Sequence, residues 1–249
     1  MPKTIAAVVG AVLVLLVGIG TAARAEQVDL QLALIADVSR SVDNDEFRLQ
    51  REGFASALTD PRVLSAIRSG AVGAIGVTFI EWSGDDEQKV VVDWTVIRDG
   101  ESGAVVADQI RTAPRSFTGR TSISAAIDFS ARRFEASGLT SGRKVIDVSG
   151  DGTNNAGRDV TSARDEAVAK GFVINGLAII NLNPNFGFIA HTQPPGGLPN
   201  YYRQNVMGGP GAFVLQIDDF HSFADAMATK LLNEIAVREL DWKHVLAAR

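Results

Sequence analysis

From residue 28 to residue 217 the chain keeps returning to one pattern: a short apolar run, a polar loop, an amphipathic stretch of helical length, then another apolar run. This alternation constrains the fold more than any other feature, because strands joined by helical crossovers lie parallel in one sheet with helices over both faces. Residues 28–36 form the first run, continuously apolar-rich as a strand covered on both sides should be. Further strands are expected at 71–82, 89–97, 143–149, 172–180 and 213–217, and helices at 44–58, 103–112, 122–137, 158–170 and 221–240. Asp43, three residues before Glu46, predicts a capping box at the start of the first helix. The link over 83–88 carries Gly84 and three acids and suits a hairpin, so one edge strand should be antiparallel. The expectation is a doubly wound α/β fold whose mostly parallel six-stranded sheet has the order 3-2-1-4-5-6, with helices on both faces.

The first residues have a different character. Lys3, an apolar run over 5–19 and Ala23-Arg24-Ala25 are the three parts of a secretory signal. The run is short for a membrane span, which needs about 20 residues. Cleavage after Ala25 is expected, leaving a single domain over 26–249 in the periplasm or outside the cell. Losing Lys3 and Arg24 takes the formal net charge of −5 two units lower. An acidic chain without a basic patch or arginine-rich stretch excludes a nucleic-acid partner, and no membrane insertion is expected once the signal is gone. The chain has no cysteine, which excludes disulfides, thiolate chemistry and a lipid attached through cysteine.

The chemistry gathers at the ends of strands, where parallel sheets place their sites. After strand one, "LIADVSRSV" carries Asp37, Ser39 and Ser41 two apart, a spacing that points all three the same way in extended backbone. Asp151 follows strand four in "VSGDGTNN", and "FTGRTSISAAI" places Thr121 just before a helix. Five oxygen donors from three segments are thus candidates for one site. Carboxylates and hydroxyls without His or Cys favour a hard cation, Mg²⁺ first, with Ca²⁺ or Mn²⁺ as alternatives. A calcium loop of the EF-hand type is rejected, since its sixth and twelfth positions would be Val42 and Arg48 rather than Gly and Glu. Asp43, Asp45 and Glu46 read instead as solvent-facing acids of a helix start. The glycines of "GAVGAIG" are not spaced as a dinucleotide fingerprint, and His191, His221 and His244 read as surface residues. Asp147, inside an apolar strand, is expected to be a paired core acid.

Asp37-Val38-Ser39-Arg40-Ser41, Thr121 and Asp151-Gly152 together resemble the D-x-S-x-S, T and D-G signature of the von Willebrand factor A domain, over about residues 28–240. The resemblance implies that Ser39 and Ser41 ligate the ion, that Thr121, Asp37 and Asp151 complete its shell directly or through water, and that a partner's carboxylate fills the open position. One departure is Gly150, which stands where the family commonly carries a hydroxyl residue. The signal, "REGFASAL" and "YYRQNVMGGPGAF" are also similar to an exported bacterial family called domain of unknown function 1194. Two functions follow as expectations: a metal-dependent, adhesion-type module clamping an Asp or Glu of a protein partner, or a metal-assisted hydrolase using the same ion. The former is preferred, because no third acid or histidine is placed to serve as base. A hydrolase of anionic substrates would be expected to bring Lys or Arg to the site, and Arg40 and Arg120 are the only obvious candidates.

The stretch 181–212 holds five of the eight prolines and no helical or strand period, so it reads as a long loop. It starts on the metal edge of the sheet. Tyr201 and Tyr202, with Phe186, Phe188 and Ile189, are candidates either for a partner-binding surface or for a cover tucked onto the domain.

Overall fold

The computed structural model describes residues 25–180, 194–218 and 222–236. The expected signal lies outside these but for Ala25, as do Phe186, Phe188, Ile189, the three histidines and the end of the last expected helix.

Six strands form the main sheet: β1 (Leu30–Asp37), β2 (Ile75–Trp82), β3 (Gln88–Ile97), β4 (Lys144–Gly150), β5 (Val173–Ile179) and β6 (Val214–Ile217). Their order is β3-β2-β1-β4-β5-β6. The β2/β3 hairpin is antiparallel and every other pairing parallel. All eight residues of β1 are buried, because β2 and β4 flank it and helices cover both its faces. A two-residue parallel pair, Glu26–Gln27 with Leu139–Thr140, ties down the start of the described chain.

On one face Leu30, Leu32 and Leu34 pack against α1 (Asn44–Thr59), α2 (Pro61–Arg68), α3 (Gly100–Thr112) and the last helix, through residues such as Phe54, Ile67, Ile110 and Leu231. On the other, Ala33 and Ile35 meet α4 (Ile123–Glu135) and α5 (Val160–Ala169). The capping box at Asp43 forms: its carboxylate accepts from the Asp45 and Glu46 amides, and Glu46 accepts from the Asp43 amide. Closing the box buries Glu46, so it does not face water as expected from its place at a helix start. The helix α2 was not expected, although its signal is local: Asp60 accepts from the Arg62 amide and Pro61 opens the helix.

The stretch 181–212 needs correction. In its described part, α6 (Leu198–Tyr201) runs straight into a π-helical turn, Tyr202–Val206, and Gly208 then bridges to Ile174 of β5. Leu198, Tyr202 and Val206 are fully buried in the second core. Their four-residue spacing makes one apolar stripe, which the surrounding prolines and glycines obscure in the sequence.

The last helix, α7 (Phe223–Ala236), crosses α1 at Gly53. A β-carbon there would lie 2.3 Å from Phe223 Cδ1, and that ring is wedged edge-on against Phe54 with centroids 5.2 Å apart. Gly53→Ala should therefore destabilise the protein by about 1–3 kcal/mol by overpacking, despite alanine's better helix propensity. Urea denaturation measures this, and an unchanged midpoint would show that the contact relaxes freely.

Candidate metal centre

The carboxyl ends of β1, β2 and β4 and the loops that follow them build one site. Asp37 ends β1, and its Oδ1 accepts from the Ser39 amide at 2.7 Å, which turns the loop sharply back. Ser39 and Ser41 then stand with their hydroxyl oxygens 3.1 Å apart. Ser41 donates to Asp151 Oδ1 at 2.7 Å, across from the end of β4. The Thr121 hydroxyl reaches Ser39 Oγ at 3.3 Å from the start of α4. All five residues expected from the sequence are therefore in one place, and Ser41 alone among them is more than marginally exposed.

The neighbouring loops position Thr121. Ser83 donates to Glu87 at 2.6 Å and accepts from the Gly119 amide at 2.7 Å, so the β2/β3 link clamps the loop before α4. A β-carbon at Gly119 would lie 1.9 Å from Glu87 Oε2, so a larger residue there would have to displace the Glu87 carboxylate from this clamp. On the other side Asn155 Oδ1 accepts from the Thr121 amide at 3.0 Å, and Thr121 O accepts from the Asn155 amide at 2.8 Å.

Arg115 holds the Asp37–Ser41 loop from behind. Its Nη2 donates to the carbonyls of Val38, Ser39 and Val42, each at 2.8 Å, and its Nε to Phe117 O at 3.0 Å. The segment carrying Arg115 is pinned in turn by Glu81, which accepts from the Ser116 amide at 2.9 Å and forms a buried ion pair with Arg51. Arg115 was not among the candidates, Arg40 and Arg120, that a hydrolase site would have needed. No local signal marks it, because the loop carbonyls it holds lie more than 70 residues away along the chain.

The electrostatics favour a cation. Burial pushes the Asp37 carboxyl well above the usual carboxylate range, and the Asp151 charge pushes it further. Asp37 Oδ2 is fully buried and has no hydrogen-bond partner among the described residues. Such an oxygen is unfavourable unless something positive or a donor meets it. Two carboxylates and three hydroxyls make a hard-oxygen set of the kind that suits Mg²⁺, Ca²⁺ or Mn²⁺. Among the described residues, nowhere do three or more His, Cys, Asp or Glu gather to hold a metal.

Two other expectations are settled by burial. Tyr202, a candidate partner contact, is fully buried, because it is the middle residue of the apolar stripe on the 198–206 turn. Tyr201 is half-buried and its hydroxyl accepts from the Asn154 amide at 3.1 Å, bracing the loop after Asp151. Asp147 is a core acid, paired with Lys230 Nζ at 2.5 Å.

A parallel sheet with one antiparallel edge strand, helices on both faces, and an Asp-Ser-Ser loop meeting Thr and Asp loops at its carboxyl edge define a von Willebrand factor A-type domain. The chain belongs to the family described as "Protein of unknown function (DUF1194)", whose model matches residues 27–239. No curated protein matches it in sequence. Solved structures of the same fold include proximal thread matrix protein 1 from the mussel byssus, with a zinc-occupied MIDAS motif, at 19% identity and TM-score 0.58 over 85% of this chain and 48% of that one. The SpaC pilus adhesin of Lactobacillus rhamnosus GG matches at 15% identity and TM-score 0.54, over 84% of this chain and 30% of its own. A von Willebrand factor type A protein from Catenulispora acidiphila matches at 13% and 0.54, over 83% and 42%. The chain thus spans about half the length of the mussel protein or less of the others, and at these identities the likeness is one of fold.

Proposed function

We propose that this protein is an exported, divalent-cation-dependent binding module of the cell envelope. The observation that carries the reading is the meeting of the Ser39, Ser41 and Thr121 hydroxyls with the Asp151 carboxylate at the loop that the buried Asp37 carboxylate turns. These five residues would hold Mg²⁺, or Ca²⁺ or Mn²⁺ in its place. When bound, the ion supplies an electrophile for an anionic oxygen from outside. With only two acids in the set, the ion's charge is balanced but not exceeded, so a partner's Asp or Glu carboxylate remains attractive. Each acid already shapes the site, Asp37 by turning its own loop and Asp151 by orienting Ser41, and a binding role needs nothing more of them. The reading is supported by the fold shared with a pilus adhesin and with a mussel protein whose MIDAS motif holds zinc. Export fits the secretory pattern of residues 1–25, and among the described residues no helix is long and apolar enough to cross a membrane.

Calorimetry of the mature protein with Mg²⁺, Mn²⁺ and Ca²⁺ tests the ion, and capture from envelope extract with and without chelator tests the partner. Capture of a protein that is lost with chelator and competed by free aspartyl or glutamyl peptides is expected. Capture that ignores the chelator would overturn the reading.

A further inference from the structure

The 198–206 turn reaches the metal centre from inside the domain. Tyr202 projects from it between two glycines on adjacent strands. Gly176 of β5 lies under the ring: a β-carbon there would be 2.7 Å from Tyr202 Cδ1. Gly150, at the end of β4 and directly before Asp151, lies at the hydroxyl: a β-carbon there would be 2.7 Å from Tyr202 Oη and 3.1 Å from Asp37 Oδ2. The space that a side chain on residue 150 would fill is therefore bordered by a phenol oxygen on one side and the open carboxylate oxygen of Asp37 on the other.

Both atoms are fully buried, and neither has a hydrogen-bond partner among the described residues. Two unmatched polar atoms facing one gap in a packed core are unfavourable unless they serve each other, and here one is a donor and the other an acceptor. A tyrosine used only for packing would be served as well by phenylalanine, without the penalty of a buried hydroxyl. A phenol is protonated at neutral pH, so it is the donor of the two.

We propose that Tyr202 is a positioning residue of the metal centre: when the ion is bound, its hydroxyl donates to Asp37 Oδ2 across the gap left by Gly150 and holds that carboxylate in the orientation the ion requires. The 198–206 turn is then part of the site's scaffold. Tyr201 braces the Asn154 loop and Tyr202 the Asp37 carboxylate. This proposal rests on the metal-binding reading above.

Tyr202→Phe is the test, read by Mg²⁺ calorimetry and by the melting temperature of the chelated protein. Groups that orient a metal ligand typically contribute 10–100-fold in affinity, so a Mg²⁺ Kd raised about ten-fold is expected. The chelated protein should melt no lower than the parent, since the variant removes a buried hydroxyl without a partner. Gly150→Ser in the Tyr202→Phe background should recover most of the affinity, because it puts a hydroxyl back beside Asp37 Oδ2 in the space the phenol oxygen vacates. A merely structural tyrosine would lower the melting temperature, leave the Kd alone and show no rescue. A parent that binds no divalent ion overturns the metal reading and this proposal with it. A parent that binds, with Tyr202→Phe binding equally well, overturns this proposal alone. Should Tyr202→Phe fail to fold, Gly150→Ala in the parent decides: its β-carbon would displace the phenol oxygen, and an unchanged Mg²⁺ Kd there would overturn the proposal.

Discussion

Replacing Ser39 and Asp151 together by alanine should abolish Mg²⁺ binding in calorimetry while leaving the circular dichroism of the fold nearly intact. Ser39 Oγ lies at the middle of the hydroxyl chain, 3.1 Å from Ser41 Oγ and 3.3 Å from Thr121 Oγ1. Asp151 brings one of the two charges and orients Ser41. The pair of changes thus removes a charge and the oxygen nearest the other donors. Their effect on the metal-free fold is smaller, because the side chains stand at loop ends and losing Asp151 also relieves its repulsion of Asp37. A stability change within about 1 kcal/mol, the net worth of one hydrogen bond, is expected in urea with chelator present. A double variant that binds the ion as the parent does would place the site elsewhere.

Lys230→Met is expected to be among the most destabilising single substitutions in the protein. Lys230 on α7, Asp147 on β4 and Glu234 one turn further along α7 are all buried, with Lys230 Nζ 2.5 Å from Asp147 Oδ1 and 2.7 Å from Glu234 Oε1. Asn175 of β5 adds a hydrogen bond to Glu234 Oε1 at 3.0 Å. Removing the only cation of this group strands two carboxylates in the core, a loss of about 3–5 kcal/mol. Replacing all three, as Lys230→Met with Asp147→Asn and Glu234→Gln, should restore much of it, since a buried ion pair is rarely better than a neutral replacement.

The penalty should also depend on pH. Burial, and next the Glu234 charge, raise Asp147 to about 7 even with Lys230 beside it. Without the lysine the folded state holds carboxyl protons still more tightly than the unfolded chain does, so the variant's stability relative to the parent falls as pH rises. The deficit should be larger at about pH 8 than at about pH 5, and a deficit that is flat or reversed with pH would argue against an electrostatic origin.

Asp37, Ser39, Ser41, Thr121 and Asp151 were legible in the sequence because each follows or precedes an element whose own pattern is strong. The i, i+2 spacing after an apolar strand needs only strand geometry to aim three side chains at one edge. The parallel sheet, its antiparallel edge hairpin and the Asp43 capping box were legible for the same reason, since each depends on a handful of consecutive residues. Tertiary structure alone decided the rest. Tyr202 became a core residue instead of a surface contact because Gly150 and Gly176, on different strands, leave room for it. Arg115 reached the Asp37–Ser41 loop, and Lys230 reached Asp147, only through closure of the sheet and docking of α7. Sequence encodes such contacts as individually ordinary residues; what makes them partners is the separation in space that the folded chain, with its entropy of loop closure already spent, holds fixed.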